Sequence, residues 1–148
     1  MQTFSGHQDW VLSAAFDASG AFVVSASYDK TVKLWSVASG ACVQTFSGHR
    51  DRVRSAAFDG SGAHIVSTSG DKTVRTWSVA DGGCLRVFAE LPEQQWASVD
   101  ARAQRYIAAS PDAWRWMRYV DGAGVVHPAE TVARVAGLEW PVDLRVPD

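Results

Sequence analysis

The chain has 148 residues, of which 47% are hydrophobic and 20% are charged, and this balance is typical of a folded globular protein and excludes a disordered one. The net charge of −2 argues against nucleic acid or an anionic membrane as the main partner, and no apolar run approaches the roughly 20 residues that span a bilayer. Only Cys42 and Cys84 are present, so a disulfide framework is excluded and we expect a reducing, cytoplasmic location.

The first part of the chain alternates between short β-patterned segments and turns. Apolar positions recur with period two, with many β-branched residues, over 11–16, 21–27, 31–37 and 42–46. Residues rich in Asp, Ser and Gly separate these segments, which is typical of tight turns. The pattern therefore predicts four short antiparallel strands.

The same unit then occurs a second time. Residues 2–43 align without gaps on residues 44–85, with 29 of 42 positions identical. A unit of four strands and about 40–45 residues has the size of one blade of a β-propeller. Adjacent copies of such a unit bury their faces against each other. We therefore predict two stacked blades.

Residues 86–127 have the pattern of a third, degenerate copy. The segment 97–101 resembles 14–18, and 105–112 resembles 22–29. Beyond it we predict a short helix that begins near Pro128 and ends before Gly137, followed by an extended tail to the end of the chain. The predicted organisation is three blades over 1–127 and a helix and tail over 128–148.

Several motifs occur twice at the same spacing. They are Gly6-His7 with the run 25–32 and Trp35, and their counterparts at 48–49, 67–74 and 77. These motifs resemble those of the WD-repeat β-propeller family, although Trp is followed by Ser where the family name implies Asp. The resemblance implies an all-β fold, and it covers residues 2–88 strongly. The end of the chain and its Ala, Arg, Val and Gly bias are similar to those of bacterial WD-repeat proteins.

The resemblance also implies that each blade is held by a hydrogen-bonded tetrad. An imidazole that is half buried needs partners for both nitrogens, and an indole N–H needs an acceptor. The expected members are His7, Ser27 (or Ser25), Asp29 and Trp35 in the first blade, and His49, Ser69 (or Ser67), Asp71 and Trp77 in the second.

Three blades do not close a propeller, which needs roughly four to eight. Two explanations stay open. The chain is the C-terminal part of a longer protein with further blades upstream, or copies of it assemble into a closed propeller. By the family pattern, residues 2–5 form the outer strand of a preceding blade.

The two clear copies differ at a few positions that we expect at the surface. Trp10, Leu12 and Tyr28 of the first copy correspond to Arg52, Arg54 and Gly70 of the second. Trp, Tyr and Arg dominate the energetics of protein interfaces. These six residues are therefore the predicted partner-binding positions.

We find no constellation typical of an enzyme. The histidines that recur are explained by the tetrads, the two cysteines occupy equivalent positions in separate copies, and phosphate-binding glycine loops are absent. We therefore expect no catalysis, no metal and no cofactor. The predicted function is a scaffold that binds protein partners on the top face of a propeller. The alternative is a structural module that only self-assembles.

Overall fold

The computed structural model describes residues 3–102, 105–110, 118–120 and 126–128, and these are built of strands joined by turns. One short 3-10 turn, Pro92–Gln94, is present, and the described residues contain no α-helix. They also contain no helix long and apolar enough to cross a membrane. The predicted all-β class is thus confirmed.

The first sheet has four antiparallel strands in chain order. The hairpin between its first two strands is closed by Asp17, whose carboxylate accepts hydrogen bonds from the Phe22 amide (2.8 Å) and the Ser19 hydroxyl (2.5 Å). Gly20 lies beside it at φ 72°, a conformation that favours glycine. The strands are β1 (Val11–Phe16), β2 (Phe22–Ser27), β3 (Thr31–Ser36) and β4 (Cys42–Ser47).

The second sheet begins as a copy of the first and then continues. Its first four strands pair in the order of the first sheet, with bulges and register shifts at equivalent positions. Each sheet takes its fourth strand from the start of the next sequence copy, so the sheets are offset from the repeats. The strands are β5 (Val53–Phe58), β6 (His64–Ser69), β7 (Thr73–Ser78), β8 (Cys84–Glu90), β9 (Trp96–Asp100) and β10 (Arg105–Ala109).

The described part of the third copy does not start a new sheet. Strand β9 pairs antiparallel with β8, and β10 pairs with β9, so that the second sheet has six strands. The cause lies in the connection, because residues 91–95 lack the Gly-His pair that carries the chain across to a new sheet at 48–49. A hydrogen bond from the Leu91 amide to the Gln95 carbonyl (2.8 Å) closes a hairpin instead. Strands β9 and β10 thus continue the second sheet, and because several residues of 86–127 lie outside the described part of the chain, the third blade stays a prediction.

The remaining described segments are β11 (Arg118–Val120) and β12 (Val126–Pro128), which pair with each other. Pro128 thus lies at the end of a strand and not in the first turn of a helix. The rest of the predicted helix and the tail lie outside the described residues.

The hydrophobic core lies between the two sheets. The first sheet contributes Val24, Ala26, Val32, Leu34 and Phe46, and the second contributes Val53, Ala56, Ile65 and Trp77. All are buried apolar side chains, and burial of this kind is the main stabilising contribution of stacked blades.

Each sheet also has a face that the other sheet does not cover. The identical residues of the two copies show this directly: Val53 is 0% exposed, whereas Val11 at the same position of the first copy is 52% exposed. We call this surface of the first sheet, with Val11, Ala14, Phe16 and Val23, the front face. The opposite surface of the second sheet, with Val66, Thr68, Val74, Thr76 and Phe88, is the back face.

Candidate functional site

A tetrad holds the first sheet together at one end. His7 Nδ1 lies 2.7 Å from the Asp29 carboxylate, and His7 Nε2 lies 2.7 Å from the Ser25 hydroxyl. The Trp35 indole N–H donates to the same hydroxyl at 2.8 Å. Because indole only donates, the Ser25 proton goes to His7 Nε2, and His7 Nδ1–H then donates to Asp29. The tetrad fixes the loop before β1 to the β2–β3 turn.

The second sheet repeats this arrangement. His49 lies 2.9 Å from Asp71 and 2.8 Å from the Ser67 hydroxyl, and Trp77 donates to Ser67 at 2.8 Å. The equivalent distances in the two tetrads differ by at most 0.2 Å. The motif therefore specifies the same local geometry with and without a preceding sheet beside it.

The tetrad serine is Ser25 in the first sheet and Ser67 in the second, the alternatives in the prediction, whereas Ser27 and Ser69 are not members. Ser27 Oγ instead accepts from the Asp29 amide (3.0 Å) and donates to the Asp9 carbonyl (3.2 Å). Ser69 makes the same contacts in the second copy. A serine two residues before the aspartate is used by the local turn, and only the serine two residues earlier reaches the indole.

One further member of each network escaped prediction. The Thr31 hydroxyl donates to Asp29 Oδ1 at 2.6 Å, and the Thr31 amide donates to the same oxygen at 2.9 Å. Thr73 and Asp71 repeat both contacts. The signal in the sequence was the Asp-Lys-Thr triplet, which is unchanged in both copies.

These hydrogen bonds determine the charge of the buried aspartates. Burial alone would raise the pKa of Asp29, but hydrogen bonds from Thr31, the Gln8 amide and His7 outweigh it and hold the pKa well below its usual value of 3.8. The pKa of Asp71 is lowered in the same way. Burial lowers the pKa of His49, although Asp71 opposes this shift. Each tetrad therefore contains a carboxylate, and the second contains a neutral histidine at neutral pH.

The order Ser–His–Asp in each tetrad has the connectivity of a catalytic triad. However, Ser67 is fully buried and Ser25 nearly so, and each hydroxyl also accepts the indole N–H. A nucleophile must reach a substrate carbonyl, and these hydroxyl groups have no access to one. The geometry thus supports a structural role.

The predicted partner-binding residues lie at the same end of the sheets as the tetrads, which we call the top end. Trp10 stands 77% exposed, and its ring meets Tyr28 edge to face with centroids 6.1 Å apart. The Arg52 guanidinium lies 5.1 Å from the centre of the Tyr28 ring and donates to its hydroxyl at 3.2 Å. Trp10, Tyr28 and Arg52 therefore form a continuous row across both sheets, which we call the aromatic row.

The other three predicted positions lie near this row. Gly70 has its amide bonded to the Arg52 carbonyl at 3.0 Å, and the Asp51 carboxylate occupies the space where a side chain at Gly70 would begin. Leu12 and Arg54 lie at the register shifts of β1 and β5, and both are exposed. Bulges of this kind re-aim side chains and are common next to binding sites.

Exposed charged side chains of both signs lie at the top end of these two sheets. Asp9 and Asp51 each accept a hydrogen bond from the next backbone amide at 2.7 Å, and Asp29 and Asp71 are held in the tetrads. The exposed cations there are Lys30, Arg50, Arg54 and Lys72. Glu90, whose amide donates to the Lys72 carbonyl at 3.0 Å, and Glu93 in the following turn add exposed carboxylates at the same end of the second sheet, so the top end as a whole has no excess of positive charge.

The remaining histidine and cysteine side chains form no chemical site within the described part of the chain. His64 pairs with Asp59 at 2.9 Å in the β5–β6 hairpin, and this contact lowers the pKa of Asp59 to about 2. Cys42 and Cys84 are both free. The described residues contain no group of three or more His, Cys, Asp or Glu side chains placed to hold a metal.

Comparison with known protein families gives one match. The model of the WD40 family, "WD domain, G-beta repeat", matches residues 1–36 and 40–78. Together these segments cover just over half of the chain.

Relatives with curated descriptions match over a single repeat. The ribosome biogenesis protein BOP1 homologs of Drosophila grimshawi and Drosophila melanogaster are 44% and 45% identical over 41 residues. The match covers 28% of this chain and 5% of each relative, so the chain spans only a small part of the length of these proteins. These relatives give no support to the bacterial likeness inferred from the sequence.

Proposed function

Because this chain belongs to the WD40 repeat family, we propose that it is a non-catalytic scaffold that binds a protein partner on its top end. The observation that carries the proposal is the aromatic row. It joins the two sheets through side chains that differ between otherwise matching copies. Rigid aromatic groups beside arginine are the side chains from which interface hot spots are most often built.

The chemistry of the top end favours an acidic partner segment. Arg50, Arg52 and Arg54 lie two residues apart along the chain, so basic side chains are grouped at the β5 edge of the second sheet, opposite the edge that carries Glu90 and Glu93. Charge complementarity of this kind accelerates association and selects the partner. We propose an extended segment that carries Asp or Glu beside an apolar side chain, with the apolar group on Trp10.

The absence of catalysis is part of the proposal. It is supported by the burial of Ser25 and Ser67, which leaves the Ser–His–Asp chains of both tetrads without substrate access. The two free cysteines support a reducing compartment, and we propose a cytoplasmic location.

A peptide-display selection on the full chain tests the docking surface. We expect the selected peptides to be enriched in Asp and Glu. Their affinity should fall at least about tenfold for the Trp10→Ala/Arg52→Ala variant, because truncation of hot-spot residues costs about 2 kcal/mol or more. The matched control is Ser19→Ala/Ser61→Ala, which changes exposed turns at the opposite end of both sheets.

Two results would contradict this placement. Peptides that bind the double variant of the aromatic row as tightly as the original chain would show that the surface lies elsewhere. A loss of affinity in the Ser19/Ser61 control would place it at the opposite end. Thermal unfolding of each variant confirms that the comparison is made on folded protein.

A second candidate is a module that self-assembles into a closed propeller. It is favoured by the front and back faces, because several of their apolar side chains are exposed although the counterparts in the other copy are buried between the two sheets. Phe46, for example, is 1% exposed and Phe88 is 39% exposed. Apolar faces of this kind are typical of surfaces that pack against another blade.

A further inference from the structure

The segment before β1 contacts the first sheet through Phe4 in the same way that strand β4 contacts the second sheet through Phe46. The rings of Phe4 and Trp35 have centroids 5.8 Å apart at an interplanar angle of 55°. Phe46 of β4 and Trp77 of the second sheet stand 5.9 Å apart at the same angle. Residues 3–10 form no strand, yet Phe4 occupies the position that an outer strand would fill.

The surroundings of Phe4 form a defined seat for one aromatic side chain. It opens into a groove of about 360 Å³ lined by Val11, Ala14, Val23 and Trp35. Gly6, at φ 151°, lets the chain pass under the indole, because a Cβ there would lie 3.3 Å from the Trp35 ring. In the second sheet the corresponding space is filled by the side chains of the first sheet.

The interface between the two sheets shows what fits this groove. The front-face residues Val11, Ala14 and Phe16 are identical to Val53, Ala56 and Phe58, which pack on the first sheet. Five apolar residues of the first sheet pack against these side chains. Three of the five are identical at the matching positions of the back face, namely Val66, Val74 and Phe88. The front face therefore matches one side of the existing interface between the sheets, and the back face matches the other side.

The top end shows a further complementarity. Across the existing interface, Arg52 of the second sheet leans on Tyr28 of the first. In a contact between copies, the front face would bring Trp10 to the position of Arg52, and the back face would offer Gly70 at the position of Tyr28. In this contact the large side chain of Trp10 would take the place of Arg52, and it would face Gly70 where the existing interface has Tyr28.

We propose that the front face of one copy binds the back face of a second copy of this chain, and that Phe88 of the second copy replaces Phe4 on Trp35. The two phenylalanines compete because Phe88 on β8 is the counterpart of Phe46 on β4, which packs on Trp77, so Phe88 of the second copy would need the place on Trp35 that Phe4 holds. The segment around Phe4 therefore limits assembly until it is displaced. This inference rests on the self-assembly proposed above.

The contact joins different faces, so repetition of it leads to a ring or an open fibre. Strands β9 and β10 lie beyond β8, on the opposite edge of the sheet from β5, so the back face continues past Phe88 to a groove lined by Thr76, Asp100 and Arg102. With two complete blades per copy, three copies supply six blades, a number within the roughly four to eight of closed propellers.

Sedimentation velocity of the full chain over a range of concentrations tests the proposal through two substitutions of opposite sign. Phe4→Ala frees the seat and should lower the dissociation constant of self-association about tenfold, because the competent fraction of the chain rises. Phe88→Ala removes the incoming ring and should raise it about tenfold or more. The double variant should resemble Phe88→Ala.

The outcomes separate the surface from the function. If the chain associates and neither substitution changes the dissociation constant, self-assembly stands and this surface is wrong. If Phe4→Ala weakens association, the competition is refuted. If neither the original chain nor Phe4→Ala associates at any concentration, both the inference and the self-assembly function are overturned. Circular dichroism of each variant verifies that the sheets remain folded.

Discussion

Replacement of Ser67 by alanine isolates the contribution of the tetrad hydroxyl. Ser67 is fully buried, and its hydroxyl serves both Trp77 and His49 at 2.8 Å. The alanine variant leaves the indole N–H and His49 Nε2 without partners in a site closed to water. The shape of the core changes little, so the effect reports hydrogen bonding and not a cavity.

The expected magnitude follows from the two orphaned groups. A buried polar group without a partner costs about 1–3 kcal/mol, so the Ser67→Ala variant should lose about 2–6 kcal/mol of unfolding free energy. Native domains have only about 5–15 kcal/mol in total. For a chain of this length the loss corresponds to a decrease in melting temperature of about 6–18 °C.

Ser69→Ala is the matched control two residues along the same strand. Its hydroxyl bonds backbone groups of the local turn, near solvent, and its removal should cost about 1 kcal/mol. Urea denaturation with both variants gives the comparison. If Ser69→Ala costs as much as Ser67→Ala, or if Ser67→Ala changes the stability by less than about 0.5 kcal/mol, the assignment of the tetrad serine is refuted.

Two further predictions concern pH and backbone conformation. The pKa of His49 is lowered in the folded chain, so the unfolded chain takes up a proton first as the pH falls below 6.5. Stability should therefore decrease from pH 7.5 to 5.5. It should decrease again below about pH 4, because the pKa of Asp71 is lowered in the folded chain and the unfolded chain therefore binds a proton there first. A urea midpoint that rises on acidification to pH 5.5 would contradict this. Gly48→Ala should cost about 1–3 kcal/mol, because Gly48 lies at φ 150°, which residues with a Cβ rarely adopt; the added Cβ would also displace the Arg75 guanidinium 2.8 Å away. Gly60→Ala, in open space, should be nearly neutral, and equal melting temperatures for the two variants would contradict the strain argument.

Much of the local structure could be predicted from the repeat. Period-two apolar segments and Asp–Gly turns placed the eight strands of the two full copies within a few residues of their observed bounds. The recurrence of His, Asp and Trp in one frame predicted which side chains meet. It did not decide between Ser67 and Ser69, because residues two apart lie on the same side of a strand and only the depth of the indole distinguishes them.

Other features depend on contacts between copies and were not visible in the sequence. Identical residues such as Val11 and Val53 differ in burial because only one has a sheet packed against it. The aromatic row was predicted as a set of variable positions, but the contact of Arg52 with Tyr28 requires the stacking of the two sheets. The third copy was predicted from its strand pattern, whereas the hairpin at residues 91–95 determined where those strands pair.

The most direct test of the account is a nuclear magnetic resonance titration of the ¹⁵N-labelled chain with one of the selected acidic peptides. The aromatic row predicts that the indole N–H signal of Trp10 and the backbone amides of Tyr28 and Arg52 shift, while the indole signals of Trp35 and Trp77 stay in place. Shifts confined to the turns at the opposite end, or to the front face around Val23, would contradict the proposal that a partner binds at the top end.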